Sequence, residues 1–226
     1  MLEKTPKATC LLCKSKYTGT GMTRHLQSCL PKSLKNQRKS QRLKPQPFFH
    51  ILVKGYYSPG YWLHLKVASS AKLEVLDQFL RDIWLECCGH LSAFSYEGTD
   101  LAMGRKLEDV FTPGMELLHE YDFGTTTELL VKVLGEYEGP MEKNKPVEIL
   151  SRNEAPEILC DVCGKAPAVQ ICTECQWEGG GWLCQSCAES HECSKEMFLP
   201  VVNSPRTGVC GYTGSVSYTH LTLPTN

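Results

Sequence analysis

Seven cysteines and one histidine fall within the 34 residues from Cys160 to Cys193. They come in pairs: Cys160/Cys163, Cys172/Cys175, Cys184/Cys187 and His191/Cys193. Thiolates and imidazoles are the donors that a tetrahedral zinc ion takes, and a two-residue gap lets a tight turn present both members of a pair to one ion. Eight donors fill two four-coordinate sites and leave no open position for a reacting water. No HExxH-type carboxylate motif stands nearby, so the stretch predicts structural metal rather than a hydrolytic centre. The energetics agree. The large apolar residues of this segment are Val162, Val169, Ile171, Trp177, Trp182 and Leu183. So small a core does not offset the ordering of about 40 residues, whereas each structural zinc contributes on the order of 10 kcal/mol. Trp177 and Trp182 are expected to pack in a hairpin around Gly179–Gly181.

A third donor set stands near the other end. Cys10-x2-Cys13-x11-His25-x3-Cys29 places two thiolates on a turn and two donors four residues apart, which a helix brings to one face. Over these 20 residues the chain resembles the zinc-finger family, with Cys29 as the last ligand. The 160–193 segment resembles the B-box module, in which ligand pairs alternate between two ions. That resemblance implies one site from Cys160, Cys163, Cys184 and Cys187, and another from Cys172, Cys175, His191 and Cys193. Sequential grouping remains the alternative: four cysteines first, then three cysteines with His191. Three zinc ions are expected in all.

The thirteen cysteines are an odd number, and clustered pairs without a visible secretory signal read as metal ligands of a reducing compartment rather than disulfides. No apolar run reaches the ~20 residues of a membrane helix, so a cytoplasmic location and no membrane partner are expected. The net charge of −1 conceals a split. Residues 1–47 hold eleven Lys or Arg against Glu3 alone, and the remainder carries a net charge of −11. A basic arm of this kind calls for an anionic partner. Lys14, Lys16, Arg24, Lys32, Lys35, Arg38, Lys39, Arg42 and Lys44 are the candidate phosphate contacts, with Thr20, Met22, Thr23 and Gln27 on or near the finger helix. One finger covers about three base pairs, so weak and strongly salt-dependent binding is expected. DNA and RNA are not distinguished.

These donors need elements to hold them. Residues 8–30 form the finger. Residues 31–47, with three prolines and six bases, read as a basic linker, flexible or weakly helical. Residues 48–152 read as an α+β domain: one main helix on a largely antiparallel sheet of five strands. The strands are 61–67, 90–96, 115–123, 128–137 and 146–151, with a turn at Gly124. The helix runs from about Ala71 to Glu86, capped by Ser69 or Ser70, with Leu73, Leu76, Leu80, Ile83 and Cys87 on its apolar stripe. KLEDVF (106–111) is a short helical turn. Residues 157–200 hold the binuclear zinc module. The uncharged stretch 215–226 resembles translated adapter sequence and is set aside as a non-native tail.

The segments LDQFLRDIWLECCGHLSAFSY and KLEDVFTPGMELLHEYDFG give the middle domain a likeness to a known family. It resembles the plasmid pRiA ORF-3-like family, also called insertion-element passenger or TnpR-like proteins. The shared features are His90, Leu91 and Phe94, then Tyr121, Asp122, Phe123 and Gly124. Thr125, Thr127 and Leu129 stand where many members carry Asp, Trp and His. The resemblance implies a bacterial, mobile-element-associated protein. No catalytic residue and no small-molecule substrate is assigned. A protein–protein adaptor is the alternative function, and an enzyme using Cys88 or His90 is the third. Within this reading Cys87 is a small buried hydrophobe, Cys88 lies at the helix end before a capping Gly89, His64 and His119 are structural, and Cys210 has no assigned partner.

Overall fold

The computed structural model describes residues 7–38, 44–142 and 144–214. Lys39, Arg42 and the tail 215–226 lie outside the described residues, as does the side chain of Arg38. The described residues fall into two compact units, 7–79 with 91–154 and 80–90 with 155–214.

The larger unit opens with an antiparallel pair, β1 (Lys7–Thr9) and β2 (Lys16–Thr18), followed by helix α1 (Gly19–Arg38). The helix continues through Pro31 into the segment read as a linker. The reason is a stripe at i, i+4: Met22, Leu26, Leu30 and Leu34 are all buried. Behind this lies a seven-stranded antiparallel sheet, in order β6 (Thr99–Leu101), β5 (Ser92–Tyr96), β7 (Glu116–Tyr121), β8 (Thr127–Pro140), β3 (Pro45–Gly55), β4 (Trp62–Ala68) and β9 (Val147–Arg152). The architecture is α+β. The sheet has seven strands rather than five, because β3 and β6 escape the alternation rule. In β3, Phe48, Phe49, His50 and Ile51 are consecutively buried, so no period of two is visible. β4 is buried on both faces, with Leu63, Leu65 and Val67 alternating with Trp62, His64 and Lys66. Lys66 is accommodated by the Pro140 carbonyl, the Glu148 carboxylate at 3.3 Å and the face of Phe48.

The expected long helix is shorter and begins later. α2 spans Leu73–Leu80, and a π-helical turn follows at Arg81–Leu85. Ser69 does not cap it, since its hydroxyl points to Glu108. The first-turn amides of Leu73 and Glu74 donate instead to the carbonyls of Arg105 and Met103. A 3-10 turn at Leu107–Asp109 matches the short turn read from KLEDVF.

The smaller unit contains that π-helical turn and the cysteine-rich segment. Its sheet has three short antiparallel strands, with β10 (Gln170–Cys172) between β11 (Trp182–Leu183) and β12 (Phe198–Pro200). Helix α3 (Gln185–Glu189) follows β11. One buried cluster of this unit is Cys172, Leu183 and Ala188, with Met197 and Phe198 packed against it, and Ile83, Trp84, Leu85, Ile171 and Tyr212 are buried as well. Trp177 is not packed as expected: it is 75% exposed on a 3-10 turn, Cys175–Glu178.

Candidate metal centres

In the finger, Cys10 and Cys13 sit on the turn between β1 and β2, closed by the Lys14 amide donating to the Cys10 carbonyl at 2.8 Å. Lys14 adopts φ 64° to complete that turn. α1 supplies His25 and Cys29, one turn apart. Cys10 Sγ lies 4.0 Å from Cys29 Sγ, and Cys13 Sγ lies 3.2 Å from His25 Nε2. Zinc–sulfur bonds of about 2.3 Å require sulfur–sulfur edges of about 3.8 Å, so the four donors are spaced to surround one ion. Tyr17 stacks on the His25 ring at 4.2 Å and fixes its plane. A hydrogen bond from the Ser15 backbone lowers the Cys13 thiol to about 6, while burial pushes Cys29 up to about 12. A divalent cation is what allows three such thiols to be thiolates together.

In the smaller unit the pairs alternate. Cys160, Cys163, Cys184 and Cys187 converge, as do Cys172, Cys175, His191 and Cys193. Sequential grouping does not occur. Each first pair rides on a hairpin-like turn, and the Gly164 amide closes the first by donating to the Cys160 carbonyl at 2.8 Å. The first turn of α3 brings Cys184 and Cys187 together. Cys163 and Cys184 are 3.9 Å apart, Cys175 and Cys193 3.6 Å, and Cys175 lies 3.4 Å from His191 Nε2. The Ser186 hydroxyl beside Cys184 lowers that thiol to about 6. Cys184 pushes Cys187 up to about 12, and Cys175 does the same to Cys193. These clusters could hold metal ions, and the donor chemistry fits zinc.

The expected count of three is corrected to four. Cys87, Cys88, His90 and Cys210 also bring their donor atoms within 4.8 Å of one another. Cys87 is therefore not a core hydrophobe. The π-helical turn inserts an extra residue, so Trp84 and Leu85 take the buried positions and Cys87 is only half-buried. The C-cap is Glu86, not a residue at Cys88. No signal local to Cys210 could have found this set, because Cys210 stands 120 residues beyond His90. The neighbouring Cys87 and Cys210 thiols push Cys88 up to about 11.

The candidate phosphate contacts divide. Arg24, Lys32 and Lys35 are exposed on α1, and Lys14 and Lys44 are exposed on loops. Lys16 is paired with Glu154 at 2.7 Å. Met22 is buried, and the Thr23 hydroxyl lies 3.2 Å from His64 Nε2. Thr20, Thr23, Arg24 and Gln27 line a cleft of about 460 Å³ with Lys54 and Trp62 opposite. His119 is buried and bonded to Asp77 at 2.7 Å. The Asp122 carboxylate accepts from Thr125 Oγ1 and the Gly124 amide within its own turn. Both are structural positions.

Among known proteins, no family model and no curated protein matches the chain. One similar solved structure is titled "Crystal Structure of Protein of Unknown Function MM3350 from Methanosarcina mazei Go1". It shares 19% identity over 43% of this chain and 64% of that one, less than two thirds of its length, with a TM-score of 0.38. Among the described residues, no helix is long and apolar enough to cross a membrane.

Proposed function

We propose that this is a non-enzymatic, zinc-stabilised protein that binds nucleic-acid phosphates through the outer face of its finger helix, and that its sheet domain belongs to the plasmid pRiA ORF-3-like family. The observation that carries the binding reading is the two-sidedness of α1. Its inner stripe of Met22, Leu26, Leu30 and Leu34 is buried. Arg24, Ser28, Lys32 and Lys35 are exposed at helical spacing on the other side. The 20-residue helix contains no acidic residue. The first turns of the helix line the cleft opposite Trp62, and base-edge reading of the kind an isolated finger performs is not part of the proposal. Backbone contacts remain, and they are sequence-tolerant and salt-sensitive. The family assignment is supported by His90, Leu91, Phe94 and the Tyr121–Gly124 turn. Zinc would be held by the clusters described above, and bacterial cytoplasm is the setting this reading implies.

Fluorescence anisotropy with labelled duplex and single-stranded oligonucleotides tests the binding. The full-length protein is expected to bind with affinity that falls steeply between low and moderate salt. Joint replacement Arg24→Glu, Lys32→Glu, Lys35→Glu should weaken binding at least about tenfold and flatten the salt slope by about two to three. Unchanged affinity in the triple variant would overturn the assignment.

One observation favours a second reading, a protein adaptor. Four of the nine large apolar side chains exposed among the described residues, Leu159, Val162, Val169 and Trp177, fall within the short cysteine-rich module. Failure of the wild-type protein to bind either oligonucleotide would move the account to that reading.

A further inference from the structure

We propose that Cys87, Cys88, His90 and Cys210 form a fourth zinc site, one that fastens the segment around Cys210 to the end of the π-helical turn. The inference rests on the metal-binding reading above and adds a site that no local spacing announces. Cys88 Sγ lies 3.9 Å from Cys210 Sγ, and His90 Nε2 lies 3.2 Å from the same sulfur. These are the edges of a zinc ligand tetrahedron, and they are far beyond a sulfur–sulfur bond of about 2.05 Å.

The backbone is shaped to aim these donors. Gly89, at φ 73°, folds the chain so that His90 returns towards the two cysteines before it. Cys210 itself stands at φ 49° between Gly208 and Gly211, which are also left-handed. A non-glycine residue in that region is uncommon and here has an evident use, since it turns the sulfur to the cluster. Two further bonds brace the first loop: Glu86 accepts from the Gly89 amide at 2.6 Å and pairs with Arg81 at 2.5 Å.

Charge supplies a second, independent argument. Three thiolates and one neutral imidazole on a divalent ion leave the cluster with one negative charge. Arg206 is fully buried, and its guanidinium Nη2 donates towards Cys87 Sγ at 3.5 Å. A guanidinium that donates to Cys87 Sγ complements the negative charge of a zinc–thiolate cluster. Arg206 is held there through Ser204, whose hydroxyl accepts from the Arg206 amide at 2.9 Å and donates to the Trp84 carbonyl at 2.6 Å. With this site, all thirteen cysteines belong to a four-donor cluster. The odd cysteine count then needs no leftover thiol.

Cys88 and Cys210 are exposed. Their replacement by serine therefore removes donors without opening the core, and the ion they hold is the most accessible of the four. Native mass spectrometry of the reduced full-length protein tests the site. Wild type is expected to carry four zinc ions, and Cys88→Ser and Cys210→Ser are each expected to carry three. Cobalt titration gives a second readout: the wild type should gain a fourth equivalent with thiolate-to-cobalt absorption that both variants lack. Three ions in wild type and variants alike would overturn the fourth site and leave the metal reading standing. No bound metal in wild type would overturn both. Four ions retained in either variant, or more than one lost in both, would also refute a separate site built on these residues.

Discussion

His64 is hydrogen-bonded on both sides. The Thr23 hydroxyl donates to the Gly19 carbonyl at 3.2 Å, so His64 Nε2–H must donate to the Thr23 oxygen. His64 Nδ1 then accepts from His50 Nε2–H at 3.0 Å. This assignment makes both rings neutral, and burial holds them so: His50 is lowered to about 4, and His64 to about 3 with His50 adding to the effect. In the unfolded chain both imidazoles take up protons below about 6.5. Stability from this pair is therefore complete above pH 6.5 and falls as the pH drops from 6.5 towards 3. Ring-nitrogen NMR should show both imidazoles neutral at pH 5; a charged ring at that pH would contradict the assignment. Thr23→Val keeps the shape but leaves the His64 N–H unpaired, and should cost about 1–3 kcal/mol in urea unfolding without loss of metal. In the cysteine-rich module, a Cβ at Gly181 would come within 2.6 Å of the Gln176 backbone and 2.8 Å of the Cys172 carbonyl. These are main-chain atoms next to ligands Cys172 and Cys175. Gly181→Ala should lower the module's unfolding free energy by about 2 kcal/mol or more. Unchanged amide protection in 170–183 would count against it.

At the scale of elements, the finger helix has a buried apolar face and an exposed basic face. Leu30→Ala removes a fully packed side chain from the inner face and should cost about 2–4 kcal/mol by denaturant melting. Lys32→Glu on the outer face should leave stability within about 0.5 kcal/mol. Much of this arrangement was legible. The i, i+4 leucines were in the sequence, but Pro31 and six bases made residues 31–47 read as a linker. Strands β4, β5, β7, β8 and β9 were legible from alternation and turn residues. β3 was not, because a strand covered on both faces shows a run of apolar residues instead of a period. The end of the main helix was misread for a related reason. Hydrophobic periodicity assumes 3.6 residues per turn, and the π-helical turn at Arg81–Leu85 breaks that period just before Cys87. His50 and His64 sit beside register shifts, between His50/Ile51 and between His64/Leu65. Such bulges re-aim side chains, and no one-dimensional pattern marks them.

At the scale of the whole molecule, the two units differ in what holds them. The larger has a continuous apolar core in its seven-stranded sheet, while the smaller has Cys172, Leu183 and Ala188 at the centre of its zinc-module core. Chelation of the reduced protein should therefore strip amide protection from residues 160–193 while β3, β4, β7 and β8 remain protected. Three of the four donor sets were legible because their ligands recur at short spacings. The fourth was hidden because folding, not sequence proximity, brings Cys210 to Cys87, Cys88 and His90. The central claim is that these sets are zinc–thiolate centres, and X-ray absorption at the zinc edge of the purified, reduced full-length protein tests it most directly. The account predicts four-coordinate zinc dominated by sulfur at about 2.3 Å, with a minority of nitrogen near 2.0–2.1 Å. An oxygen- and nitrogen-only shell, or protein that retains no zinc, would contradict it.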